Sequence, residues 1–188
     1  MMRLNARAQA ARLLGAYAQG QRAFWHWDLQ GVDLHDACLV GIDLRGACLR
    51  QANLRGAKLD GAILAGADLT QANLTATDLR EAILAYAQLD EAAVAEACLA
   101  DADLTGASLA HANLDGADLS WAYAAGVDLT GAELDGANFT GVDLTQARVD
   151  NTSDRQALWL PYPLSSGGGN EPDDSRGHRS SRRHHPAR

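Results

Sequence analysis

No stretch of this 188-residue chain is apolar for long enough to cross a membrane, and no signal-peptide core stands near its start. A cytoplasmic protein is the expectation. Cysteine is scarce: Cys38, Cys48 and Cys98 are odd in number and widely spaced, which argues against a disulfide framework and fits free thiols in a reducing compartment. Histidine is scarce too, with only His26, His35 and His111 before residue 178, far apart in sequence. No Ser–His–Asp set, glycine-rich phosphate loop or closely spaced Cys/His group can be assembled. The expectation is therefore a protein that is not an enzyme, with no catalytic, cofactor-binding or metal-binding residues. A further absence is local: from Glu81 to Ala147 there are 12 acids and not one Lys or Arg.

What the chain does contain is a period. Leucine or a substitute recurs every fifth residue from Leu29 to Val149, in 25 units without a slip. The residue two places earlier is Ala in 19 of them, the others being Trp27, Val32, Ile42, Thr77, Val127 and Val142. Five steps of about 100° would place successive leucines of an α-helix roughly 140° apart, so no face would stay apolar. A plain strand also fails, because side chains alternate with period two and an odd repeat flips Leu between faces. The pattern requires a chain that turns once per unit, with one small and one large apolar residue inward and three residues outward. Stacked coils of this kind bury a continuous core. Glycine, which accepts positive φ at low cost, stands two residues after the central position in many units, Gly46, Gly106 and Gly141 among them.

Units such as Ala67-Asp68-Leu69, Ala72-Asn73-Leu74, Ala112-Asn113-Leu114 and Ala117-Asp118-Leu119 are similar to the A(D/N)LXX consensus of the pentapeptide-repeat family. The resemblance covers about two-thirds of the chain, residues 27–151. It implies an all-β solenoid, a right-handed quadrilateral β-helix with four pentapeptides per coil. The 25 units would make a little over six coils and, at about 4.8 Å per coil, a rod roughly 30 Å long. On such a rod Cys38 and Cys98 share a face but lie about 14 Å apart, beyond disulfide reach.

The flanks read differently. Residues 4–19 predict a short helix ending near Gly20, and residues 1–26 are expected to cap the open core, with Phe24, Trp25 and Trp27 as part of the lid. Residues 152–164, with Ala157-Leu158-Trp159-Leu160-Pro161-Tyr162, read as a second cap. Residues 165–188, rich in Gly, Ser, Arg and His, read as a disordered tail with a basic end.

Charge is uneven. The whole chain carries −8, while residues 27–151 hold 20 acids against 6 bases, a balance of −14. Asp or Asn before the central Leu bonds local backbone, so part of this acidity is structural. The candidate acidic surface is Glu91, Glu96, Asp115, Asp118, Glu133 and Asp135. With twenty residues per coil, Ile63, Ile83, Asp103 and Tyr123 form one outward column, with Tyr86 and Trp121 at neighbouring corners. Ile63, Ile83, Tyr86, Trp121 and Tyr123 are the candidate apolar interface, for a protein partner or a homodimer. Ala124 is the sole central Ala, and an inward swing of Trp121 or Tyr123 into its space is the competing expectation.

The leading functional expectation is a protein-interaction or scaffolding solenoid. The resemblance implies an alternative: some family members, including quinolone-resistance proteins, bind DNA gyrase by imitating the acidic duplex. Those proteins often carry loops projecting from the coil and dimerise through an apolar C-terminal module. Here the register is unbroken and Leu158–Leu164 is short. Direct nucleic-acid or membrane binding is not expected from a rod of this sign.

Overall fold

The computed structural model describes residues 5–152 and Ala157. From Ala23 onward the backbone pairs with itself in parallel at a constant offset of twenty residues, as in Asp28↔Cys48, Cys48↔Asp68 and Asp68↔Gln88. Five residues per side and twenty per turn make a right-handed quadrilateral β-helix.

One unit shows why the sequence adopts this path. In residues 67–71 the Ala67 N–H closes a turn on the Leu64 carbonyl at 2.9 Å. Asp68 N–H donates to Ala47 in the coil before, at 3.0 Å, and Leu69 N–H donates to Gln88 in the coil after, at 2.7 Å. Gln71 N–H donates to Asp90 at 2.9 Å. The fifth, Thr70 N–H, is taken by the Asp68 side chain at 3.1 Å. Every backbone donor of the unit is therefore satisfied, and the Asp or Asn before the central Leu supplies the acceptor that the coil stack cannot. The residue two after the centre has positive φ in every unit from His26 to Asn151, whether or not it is glycine. That is the sign a type II turn requires at its third residue.

The core is built of Leu and Ala. Every central residue from Leu29 to Leu134 is buried, and each Leu or Val among them contributes on the order of 1.5–3 kcal/mol relative to exposure. Thr77 is the polar intruder at an inward position, and its hydroxyl donates to the Leu54 carbonyl at 2.8 Å. Trp121 and Tyr123 do not swing inward at Ala124: they remain 61% and 63% exposed, and Ala124 is buried as a small residue.

Among the described residues one helix, α1, covers Ala6–Ala18. Asn5 caps it by accepting the Ala8 N–H at 2.8 Å. Its buried residues, Ala10 and Leu13, join the core, and Tyr17 Oη donates to Val40 carbonyl oxygen at 2.8 Å. The helix thus closes the first coil. Phe24 is not part of this lid. It is a central residue of the coil stack, fully buried, and its N–H donates to Asp43 at 2.7 Å. The ladder begins one unit before Trp27. Trp27 is half-buried, with Phe24 edge-on at 5.0 Å and the Arg12 guanidinium 4.6 Å above its ring. The expected C-terminal cap and basic tail lie outside the described residues, apart from Thr152 and Ala157. Ala157 packs against the core.

Candidate interaction surface

The offset of twenty residues fixes which outward side chains share a face. Glu133 follows Asn113 in one outward column. Asp115, Asp135 and Glu96 stand at the corner that follows this face, and Glu91 at the corner that precedes it. Five of the six candidate acids therefore belong to one face and its edges. Asp118 does not: it lies round the corner, in the column of Cys98 and Asn138.

The acids differ in how they are held. Glu91 accepts from Gln71 Nε2 at 2.8 Å, and Gln71 in turn accepts from Gln51 at 3.0 Å, so one corner carries a ladder of side-chain amides ending on a carboxylate. Asp115 accepts the Asp135 N–H at 3.0 Å. Asp118 accepts both the Ser120 N–H and Asn138 Nδ2, each at 3.0 Å. Glu96 and Glu133 are exposed. The Thr145 hydroxyl and N–H hold Asp143 below the ordinary carboxylate range, and the Arg80 and Arg45 guanidiniums do the same for Asp78 and Asp43.

The apolar candidates occupy the opposite side, ten residues away along each coil. Ile63 pairs with Ile83, and Asp103 pairs with Tyr123. Tyr86 and Trp121 stand on the two corners of this face. Ile63 is half-buried, while Ile83, Tyr86, Trp121 and Tyr123 are exposed. The corner rings are supported from the next coil. A Cβ added at Gly106 would sit 2.7 Å from Tyr86 Cε1, and one at Gly141 would overlap Trp121 Cε3. Each ring lies on a corner that has no side chain, which fixes it without hiding its outer surface.

Sequence reasoning missed a hollow of about 190 Å³ near the N-terminal end, lined by Trp25, His26 and Arg45. Arg45 lies 5.1 Å from the Trp25 ring and is held by Asp43 at 2.6 Å. The signal is present in the sequence, since Trp25 and Arg45 are twenty residues apart, but Trp25 stands one unit before the recognisable repeat and reads there as part of the lid. Among the described residues there is no group of His, Cys, Asp or Glu arranged to hold a metal ion, and all three cysteines are free. No helix among them is long and apolar enough to cross a membrane.

A family model for pentapeptide repeats matches residues 47–85, 87–123 and 117–153. The chain belongs to the pentapeptide-repeat family. No curated protein sequence matches it. Similar solved structures include the pentapeptide repeat protein Rfr23 from the cyanobacterium Cyanothece 51142, 27% identical over 80% of this chain and 100% of that one, with a TM-score of 0.45. A pentapeptide repeat protein from the Arabidopsis thaliana thylakoid lumen, AT2G44920, is 31% identical over 68% of this chain and 72% of its own, with a TM-score of 0.38. QnrB1, a plasmid-mediated fluoroquinolone resistance protein, is 17% identical over 72% of this chain and 80% of its own, with a TM-score of 0.40.

Proposed function

We propose that this pentapeptide-repeat protein is a non-catalytic interaction rod of the cytoplasm, which presents Ile63, Ile83, Tyr123 and the corner rings of Tyr86 and Trp121 to a protein partner. The observation that carries the reading is the pair of corner aromatics, Tyr86 at 70% and Trp121 at 61% exposure, each seated on a glycine of the next coil. Large rigid side chains held outward at low entropic cost are what a binding surface needs. The Leu and Ala interior supports the non-catalytic part, because a core this uniformly filled leaves a substrate no deep cleft.

A second reading is a DNA mimic that binds gyrase or a related topoisomerase. It is favoured by the stretch from Glu81 to Ala147, which has 12 acids and no Lys or Arg, and by the gathering of Glu91, Glu96, Asp115, Glu133 and Asp135 on one side. A one-signed rod offers a basic DNA channel the field it is built to receive.

One pair of variants separates the two. Ile83→Glu places a charge on the apolar face, and a variant with Glu91, Glu96, Asp115 and Asp135 changed to their amides removes four of the five charges gathered on the opposite side. Each goes into a pull-down against cell extract and into a gyrase supercoiling assay with and without a fluoroquinolone. The interaction-rod reading expects Ile83→Glu to lose a partner that the amide variant retains, with no effect on gyrase from either. The mimic expects wild-type protein to inhibit or protect gyrase, and the amide variant to fail. Partners captured equally by wild type and Ile83→Glu would remove the apolar face from consideration.

A further inference from the structure

Of the six bases in the coil region, four are tied up in ion pairs: Arg45 with Asp43, Arg50 with Asp68, Arg80 with Asp78 and Arg148 with Asp128. Arg55 and Lys58 are exposed and make no salt bridge among the described residues. Both stand at one edge of the rod. The corner column there runs His35, Arg55, Thr75, Ala95, Asp115, Asp135. The strand column beside it runs Cys38, Lys58, Asp78, Cys98, Asp118, Asn138. Each passes from positive to negative along the rod.

These columns are self-complementary when reversed. A two-fold axis beside the rod and perpendicular to it, level with the midpoint between Thr75 and Ala95, sets Arg55 opposite Asp115, and His35 opposite Asp135, in a second copy. In the neighbouring column, an axis midway between Asp78 and Cys98 sets Lys58 opposite Asp118. The two midpoints differ by three residues of path, about 0.7 Å of height on a coil rise of about 4.8 Å, so one axis serves both. The corner between them sets Gly56 opposite Gly116 and Ala76 opposite Glu96, with the Asp36 carboxylate lying over Gly56 and the Glu96 side chain against Gly116. Glu81 opposite Asp101, at the far corner of the face, is the one like-charge pair in these columns, and Arg80 adjoins it. A parallel alignment would instead lay Arg55 on Arg55 and Asp115 on Asp115.

We propose that two copies of this chain associate side by side and antiparallel through the edge that carries Arg55, Lys58, Asp115 and Asp118. The edge is distinct from the Ile63–Ile83 face and shares with it only the corner column of Glu81, Asp101 and Trp121. It offers a patch roughly 30 Å by 15 Å, on the order of 450 Å² per copy, against about 800 Å² in a stable complex. The dimer is therefore a weak one, steered and registered by charge and loosened by salt.

Sedimentation velocity on the full chain, over a concentration series at about 50 mM and about 500 mM salt, is the test. A concentration-dependent dimer that weakens by roughly tenfold or more at the higher salt is expected. Arg55→Asp with Lys58→Asp should be monomeric, as should Asp115→Lys with Asp118→Lys. An equimolar mixture of the two variants should dimerise, because each then meets opposite charge at both ends. Asp118 takes part in coil-to-coil bonding, so Asp115→Asn with Asp118→Asn, which keeps the acceptor oxygens, is the conservative check and should also weaken the dimer. Monomer throughout the wild-type series overturns the proposal. So does a dimer that Arg55→Asp with Lys58→Asp leaves intact, or a mixture that stays monomeric while both variants are folded by circular dichroism. Because Arg55 and Lys58 lie outside the acidic set, their variant also separates dimerisation from any effect on gyrase.

Discussion

At Gly141 the backbone has a φ of +72°, and the Trp121 ring lies where a Cβ would be. Two costs of substitution are thus superimposed, and the molecule itself separates them. Gly66 has nearly the same φ, +64°, with nothing within 4 Å of its missing Cβ. Fourteen units hold a non-glycine residue at this corner, so the backbone conformation alone is tolerable. Gly66→Ala should lower stability by about 1 kcal/mol, the typical penalty of a left-handed residue. Gly141→Ala should cost at least about 1 kcal/mol more, because Trp121 must leave its seat and loses its contacts. Chemical denaturation of both variants, with Trp121→Ala and the Trp121→Ala/Gly141→Ala pair, closes a double-mutant cycle. If Gly141→Ala is no worse than Gly66→Ala, Trp121 is not held by that corner.

The pentapeptide is the next scale, and its legibility in the sequence was uneven for physical reasons. The inward Ala and Leu showed themselves because every unit meets the same wall of neighbours. The Asp or Asn before Leu showed itself because each unit leaves the same N–H without a partner in the stack. Phe24 did not, since its unit carries the charged Arg22 where most units carry Ala and none of the 25 carries a charge, and so lacks the inward residue that marks the repeat. The opposed acidic and apolar sides became readable only through the twenty-residue offset. The seating of Tyr86 on Gly106 and the Asp43–Arg45 and Asp78–Arg80 pairs depend on side-chain direction, which a period does not carry. Those pairs have a consequence for acid stability. The hydrogen bond from Arg45 holds Asp43 below the ordinary carboxylate range, as that from Arg80 holds Asp78. A carboxylate whose folded pKa is depressed stabilises the fold above its unfolded pKa of about 3.9 and loses that contribution as pH falls through the folded value. Melting temperature should therefore fall steeply below about pH 4, and Asp43→Asn with Asp78→Asn should flatten that fall while keeping the acceptor for the backbone N–H. An unchanged slope in the double variant would mean that acid sensitivity arises elsewhere in the carboxylate set.

At the scale of the whole rod, the interior is continuous from coil to coil among the described residues, and its side walls leave the end of the stack as the edge to be covered. Each coil contacts its neighbours above and below, so stability is close to a sum of coil and interface contributions, and the first coil is where a bare edge would be exposed. Helix α1 covers that edge with Leu13, which is fully buried, and is pinned there by Tyr17 on Val40 and by the Arg12 contact with Trp27. The lid has two tasks that one substitution can distinguish. Leu13→Asp puts a charge where α1 meets the core, at a cost of several kcal/mol if the helix stays docked, so the helix should release instead. The coils beyond the first keep their own neighbours, and the melt should remain cooperative at a reduced temperature. The freed edge, with the apolar surface around Phe24, is a template for pairing with another chain. Leu13→Asp should therefore self-associate end to end, seen in light scattering as species larger than a dimer that persist at high salt, unlike the charge-steered pairing along the Arg55 edge. A variant that melts earlier but sediments like wild type would show that α1 stabilises the first coil without guarding its edge.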